Sequence, residues 1–429
     1  MPVSRKRKKS KPGNKPPRPA PITFNSTVPE LRSAGPANAW DQLMEHRRQL
    51  SARRAKLADR HAEELVDELL AIAPGRSDAD VEDELGTRFG VRMAEVDQGA
   101  PDDSYRPAVL AEAILLAADR RLRESLAEGA DSTASWRLLT VVAGLMPPEL
   151  VGEAHDLVTA HLAASTELAA PAERRVTGPA LWARDAYGSR WVVVAPFSSP
   201  SGPDRWYLWD VDACAYDVAI VYSGYFPSAE LALASWRAAV GETAAGDAVL
   251  TPVDDSYLLD SLLIREEGFF RMGGENEALY AEYLRGQRLA SAVYEAVGAV
   301  RADRTTLDTE EAAAEFESWM RTHRTPPDDF EEIATELASS WSPNDDPVLY
   351  PACSPHKVAL TVLHMRDYYQ DEFATELVTW LPDWISWLAQ RNGTPAELAE
   401  RCMAYASGKP FPGITSDNGQ PNYRARVTE

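Results

Sequence analysis

The chain is poor in cysteine. It carries three, Cys214, Cys353 and Cys402, odd in number and far apart. That argues against a disulfide-stapled framework and fits a reducing compartment. Long apolar runs are also missing. The most apolar stretch, AILLAA at 113–118, falls far short of the roughly 20 residues that a membrane span requires. No apolar segment follows the basic N-terminus, so it does not read as a signal peptide. A cytoplasmic protein with no membrane partner is expected. Phosphate-cradling loops are absent too, since neither G-x-x-x-x-G-K-[ST] nor G-x-G-x-x-G occurs. The same holds for H-E-x-x-H, G-x-S-x-G and the protein-kinase set. No cofactor is implied, and an enzyme is disfavoured. A site assembled from scattered residues stays open.

Charge is plentiful but divided. Arg5, Lys6, Arg7, Lys8, Lys9, Lys11, Lys15 and Arg18 all precede the first acid, Glu30, in a chain of formal net charge −22. The acidic remainder repels phosphate backbones, so contact with a polyanion falls to residues 1–18, most densely Arg5, Lys6, Arg7, Lys8 and Lys9. In a eukaryote RKRKK would read as a nuclear signal. The Ala-, Asp-, Glu- and Arg-rich remainder instead has the composition of a high-GC bacterial protein. A solubilising or inert tail, or one folded back on its own acidic body, is the competing reading.

At 429 residues two or three domains are expected. Residues 1–36, rich in Pro, Lys and Arg, predict a disordered tail. Residues 37–165 read as a helical domain of about five helices by their near-3.6 apolar spacing. Ser77 and Asp80 form a capping box, and Pro148 is a first-turn residue. At 176–245 the period changes. ALWARD, RWVVVAPF, RWYLWDVDAC and YDVAIVYSGYF read as four antiparallel strands joined by turns. In the last of them Tyr216, Val218, Ile220 and Tyr222 share one face. Ser228 caps a helix whose Leu233, Trp236 and Val240 lie across one side of the sheet. The other side needs cover from elsewhere in the chain or from a partner. Residues 254–406 predict a C-terminal helical domain, and 407–429 a flexible tail. The fold class is α+β, predominantly helical, with a central four-stranded antiparallel sheet covered by one helix.

Four constellations bear on function. The sheet gathers Trp182, Trp191, Trp206, Trp209 and Tyr222, which fit either a stacking or docking surface or simple core packing. Asp210 and Asp212 share one strand face. With Asp217 they suggest a carboxylate group for a divalent cation or acid–base work, or a solvated edge. Cys353, His356 and His364 have a zinc-like spacing but lack a fourth ligand, and Ser354–Pro355 reads as a plain helix start, so no metal is assigned. Trp380, Trp384 and Trp387 form a stripe along one helix, a partner-docking face or an inter-helix seam, with Pro382 introducing a kink or restart.

The run CSPHKV followed by LPDWISWLAQRNGTPAELAER resembles the helical C-terminal region of an uncharacterised actinobacterial protein family, and the MPVSRKRKK start is similar to openings in it. The resemblance implies an actinobacterial cytoplasmic origin and an all-helical end, and carries no activity. Two functions are expected from the residues. The first is a non-catalytic interaction protein with a cationic arm and a partner on the sheet or the Trp stripe. The alternative is a metal-assisted hydrolase with its site near Asp210, Asp212 and Asp217.

Overall fold

The computed structural model describes residues 36–171, 175–199, 202–213, 218–263, 275–304, 306–341 and 347–415. The basic cluster Arg5, Lys6, Arg7, Lys8 and Lys9, together with Cys214 and Asp217, lies outside the described residues. Five helices come first: α1 (Pro36–Ile72), α2 (Asp78–Gln98), α3 (Pro107–Ala127), α4 (Thr133–Gly144) and α5 (Val151–Ala164). Ser77 caps α2 as its spacing predicts. Its hydroxyl accepts the Asp80 N–H at 3.2 Å, and the Asp80 carboxylate accepts the Ser77 N–H at 3.0 Å. Pro148 opens a 3₁₀ turn, Pro148–Leu150, that runs into α5 and so does not start that helix itself. Leu65, Leu85, Phe89, Ile114 and Leu139 meet in the core between these helices.

The sheet follows, with β1 (Leu181–Arg184), β2 (Arg190–Ser199), β3 (Gly202–Asp212) and β4 (Ala219–Phe226). Helix α6 (Ala229–Val240) and the short α7 (Glu242–Ala245) lead to a fifth strand, β5 (Thr251–Pro252). The sheet is antiparallel in the order β4-β3-β2-β1-β5. Two residues carry too little periodicity to announce a strand, which is why four were expected. Pro252 is tolerated there because β5 is an edge. A β-bulge at Val221 also overturns the expected alternation in β4, since Val211 pairs with Ile220 while Asp210 pairs with Tyr222. Val218, Ile220 and Tyr225 therefore pack on one side, and Tyr222 moves to the other, 48% exposed.

The chain covers both sides of the sheet itself. Helix α6 lays Ala232 and Trp236 against Val192, Val194 and Leu208. On the opposite side α8 (Ser256–Leu263) and α10 (Tyr283–Val297) bring Leu259, Leu262, Leu289 and Val293 onto Trp182, Trp191, Tyr207 and Trp209. The expected single covering helix is thus corrected to a helical layer on each side. Between them α9 (Glu277–Ala281) joins α2, with Tyr280 and Tyr283 buried in the N-terminal core. Residues 254–297 pack with the sheet and the first bundle. The separate C-terminal core belongs to α11 (Thr309–His323), α12 (Phe330–Trp341), α13 (Pro355–Tyr368), α14 (Asp371–Asn392) and α15 (Ala396–Ala406). Trp384 and Trp387 are buried there, with Trp384 edge-on to Phe316 at 5.0 Å, so the stripe is an inter-helix seam and offers no docking face. Helix α14 continues through Pro382 without restarting. No helix among the described residues is long and apolar enough to cross a membrane.

Helix α9 lies close on α2 because Gly86 and Gly90 carry no side chain. A Cβ on Gly90 would fall 2.3 Å from the Glu277 carbonyl oxygen, and one on Gly86 2.7 Å from that of Ala281. Alanine ordinarily strengthens a helix by up to about 1 kcal/mol over glycine. At Gly90 the clash with rigid backbone reverses the sign, and Gly90→Ala is expected to lose about 1–3 kcal/mol in urea unfolding. Gly152→Ala, on α5 with nothing within 4 Å of the new Cβ, is the control and is expected to be neutral or stabilising.

Candidate functional site

The polar end of the sheet begins at the β1–β2 turn. The turn closes with Asp185 N–H to the Arg190 carbonyl at 2.9 Å and Gly188 N–H to the Asp185 carbonyl at 3.0 Å. Gly188 takes φ +70, where a side chain would be strained. The Asp185 carboxylate turns inward. It accepts the N–H of Ser189 at 2.8 Å and of Arg190 at 3.0 Å, and the Ser189 hydroxyl at 3.3 Å. Burial pushes its pKa up to about 7 against these hydrogen bonds and the charge of Arg190, with the Asp212 carboxylate adding to the rise.

Arg190 and Asp212 are register partners across β2 and β3, yet Arg190 reaches diagonally to Asp210. Its Nε and Nη2 donate to the two Asp210 oxygens at 2.5 and 2.7 Å. Trp236 of α6 donates to Asp210 at 3.1 Å. Burial works against the guanidinium charge, but the hydrogen bonds and field of Asp210, helped by Asp212 and Asp185, hold its pKa above the ordinary value. Both carboxylates are 2% exposed, which corrects the solvated-edge reading, since β3 is an interior strand. Asp210 is therefore a structural anchor.

Asp212, at the end of β3, faces the C-terminal helices. Its carboxylate lies 3.4 Å from Nδ1 of His356 in the first turn of α13. Ser354 caps that helix, accepting the Lys357 N–H at 3.2 Å, and Pro355 takes the first helical position. The plain helix-start reading of Ser354–Pro355 holds. Cys353 packs in the C-terminal core, and His364 stacks on Tyr368 with its pKa lowered by burial. Among the described residues no group of three or more His, Cys, Asp or Glu is placed to hold a metal ion.

A cavity of about 350 Å³ opens where these groups meet. Asp185, Arg190, Asp212 and His356 line it, with Val240, Ala244, Tyr405 and Phe411 as apolar wall. Arg401 of α15 and Lys409 complete the cationic side. Arg401 is held by Glu397 at 2.9 Å and Thr243 at 3.2 Å, and Lys409 sits over the Tyr405 ring at 4.8 Å. Phe411 lies 5.4 Å from the His356 ring. The segment after Ala406, expected to be a loose tail, thus closes the site as far as it is described.

Of the residues singled out in the sequence, only Asp212 lines the cavity. Trp182, Trp191 and Trp209 are core, Trp206 packs beside Leu208, and Tyr222 faces outward. Asp185, Arg190, Arg401 and Lys409 went unmarked. Only Asp185, an acid opening a tight Gly-containing turn, left a local signal. Comparison with known proteins gives no match to any family model, curated protein or solved structure.

Two outcomes follow from this geometry. Asp210→Ala strands a buried guanidinium and is expected to cost about 3–5 kcal/mol in urea unfolding. Asp185 has a raised folded pKa, so its contribution is fully present below the ordinary carboxylate pKa and is lost as pH rises through about 7. Asp185→Asn keeps an acceptor for the turn and removes the titration. Between about pH 4 and pH 8 the wild type is expected to lose roughly 1–3 kcal/mol relative to this variant. A pH-independent difference between their unfolding midpoints would contradict the assignment.

Proposed function

We propose that the protein binds a small polar molecule in this cavity and exchanges a proton with it through His356, which Asp212 orients. The observation that carries the reading is convergence. A buried carboxylate from the end of β3 and a histidine from the first turn of α13 meet on one cavity whose size lies at the small end of ligand sites. A carboxylate beside an imidazole fixes its tautomer and favours its charged form, the arrangement that general acid–base work uses. Asp185, with a pKa near neutrality, adds a second group that changes charge close to working pH.

This reading keeps the location of the hydrolytic alternative but not its metal. Asp210 has both oxygens committed to Arg190, and Asp217 lies outside the described residues. The non-catalytic interaction reading rests on the N-terminal arm, also outside the described residues, and on aromatics that are largely core. The test is a thermal-shift screen of the full chain against amino acids, organic acids, amines, sugar phosphates and nucleosides, repeated with His356→Gln. At least one class is expected to raise the wild-type melting temperature and leave the variant unmoved. If every active compound shifts both proteins equally, ligand binding lies elsewhere and the reading fails.

A further inference from the structure

The charges around the cavity are sorted by the side they come from. Asp185 and Asp212 belong to the sheet end, while Arg401 and Lys409 belong to α15 and the segment after it. The sheet-side cation, Arg190, has its charge matched by Asp210 through two short hydrogen bonds. Asp212 meets His356 at 3.4 Å, longer than the roughly 2.7–2.9 Å of a charge-assisted hydrogen bond. Between the acidic and basic sides lie Val240, Ala244, Tyr405 and Phe411.

We infer that the ligand is a small zwitterion, an amino acid or close analogue, with its ammonium group at the Asp212 side, its carboxylate at the Arg401 and Lys409 side, and an apolar body between. The inference rests on the proposed function and names the ligand class of that same site. A dianion would bring charge against Asp185 and Asp212, and a dication against Arg401 and Lys409. An ion of one sign satisfies half the cavity and leaves the other half desolvated without a partner. The aromatic and aliphatic wall suits a side chain of benzyl size within about 350 Å³.

The experiment uses the full chain and three probes of one shape: phenylalanine, phenethylamine without the carboxylate, and 3-phenylpropionate without the ammonium group. Affinities are measured by calorimetry at low salt for the wild type and for Arg401→Gln, a change at the cavity rim. The expected result is that phenylalanine binds at least tenfold more tightly than either analogue. Arg401→Gln is then expected to weaken phenylalanine and 3-phenylpropionate several-fold and leave phenethylamine unchanged. Equal or tighter binding of either single-charge analogue overturns the zwitterion and leaves the small-ligand reading standing. Failure of all three probes to bind also overturns it. The small-ligand reading itself falls only if the wider screen distinguishes no compound between wild type and His356→Gln.

Discussion

The buried pairing of Arg190 with Asp210 sets the terms for everything at the end of the sheet. Two charges withdrawn from water cost several kcal/mol each unless their hydrogen-bonding capacity is met. Here the match is a two-point fork across β2 and β3, with the Trp236 indole on the same carboxylate. The fork ties the two central strands to α6. It also absorbs the Arg190 charge, so the partner opposite in register, Asp212, points across to His356.

Three aspartates share this end of the sheet, and each meets its desolvation cost differently. Asp210 has a guanidinium. Asp185 has two backbone N–H groups and a hydroxyl, and with burial dominating it holds its proton up to about neutral pH. Asp212 has His356 and a cavity. Such unequal environments pull the acidities of like groups apart, which is the condition acid–base sites exploit. A purely structural network would gain nothing from leaving 350 Å³ of space lined by opposite charges.

The elements whose signals are local were legible in the sequence: the Ser77–Asp80 capping box, the Ser228 and Ser354 caps, and the long antiparallel strands. What stayed hidden depends on distant partners. Tyr222 changed sides because of one extra residue at Val221, and a period-two count has no means to register a bulge. Gly86 and Gly90 looked like weak points in α2 until α9 was laid on them. The aromatic surplus of the sheet and the Trp384 stripe are explained by burial between helical layers. The site was half legible. Asp212 stood out as part of a D-x-D pair, but the pair divides its labour, one member anchoring the strands and the other facing the cavity. His356 drew notice for its spacing from Cys353, a near neighbour it does not work with. Its partner lies on the sheet, far off in the chain. Arg401 and Lys409 sit in stretches with no motif at all, and only the packing of α15 on α13 brings them in.

The central claim is that His356 is oriented by Asp212 at a working cavity. The most direct measurement is the two-bond proton–nitrogen spectrum of histidine-labelled full chain, with His356 assigned through His356→Gln. The account predicts that His356 carries its proton on Nδ1 toward Asp212 and that its ring nitrogen shifts move on Asp212→Asn, while the exposed ring of His323 stays in place. A His356 with an unprotonated Nδ1, or with ring shifts unchanged by the loss of the Asp212 charge, would contradict it.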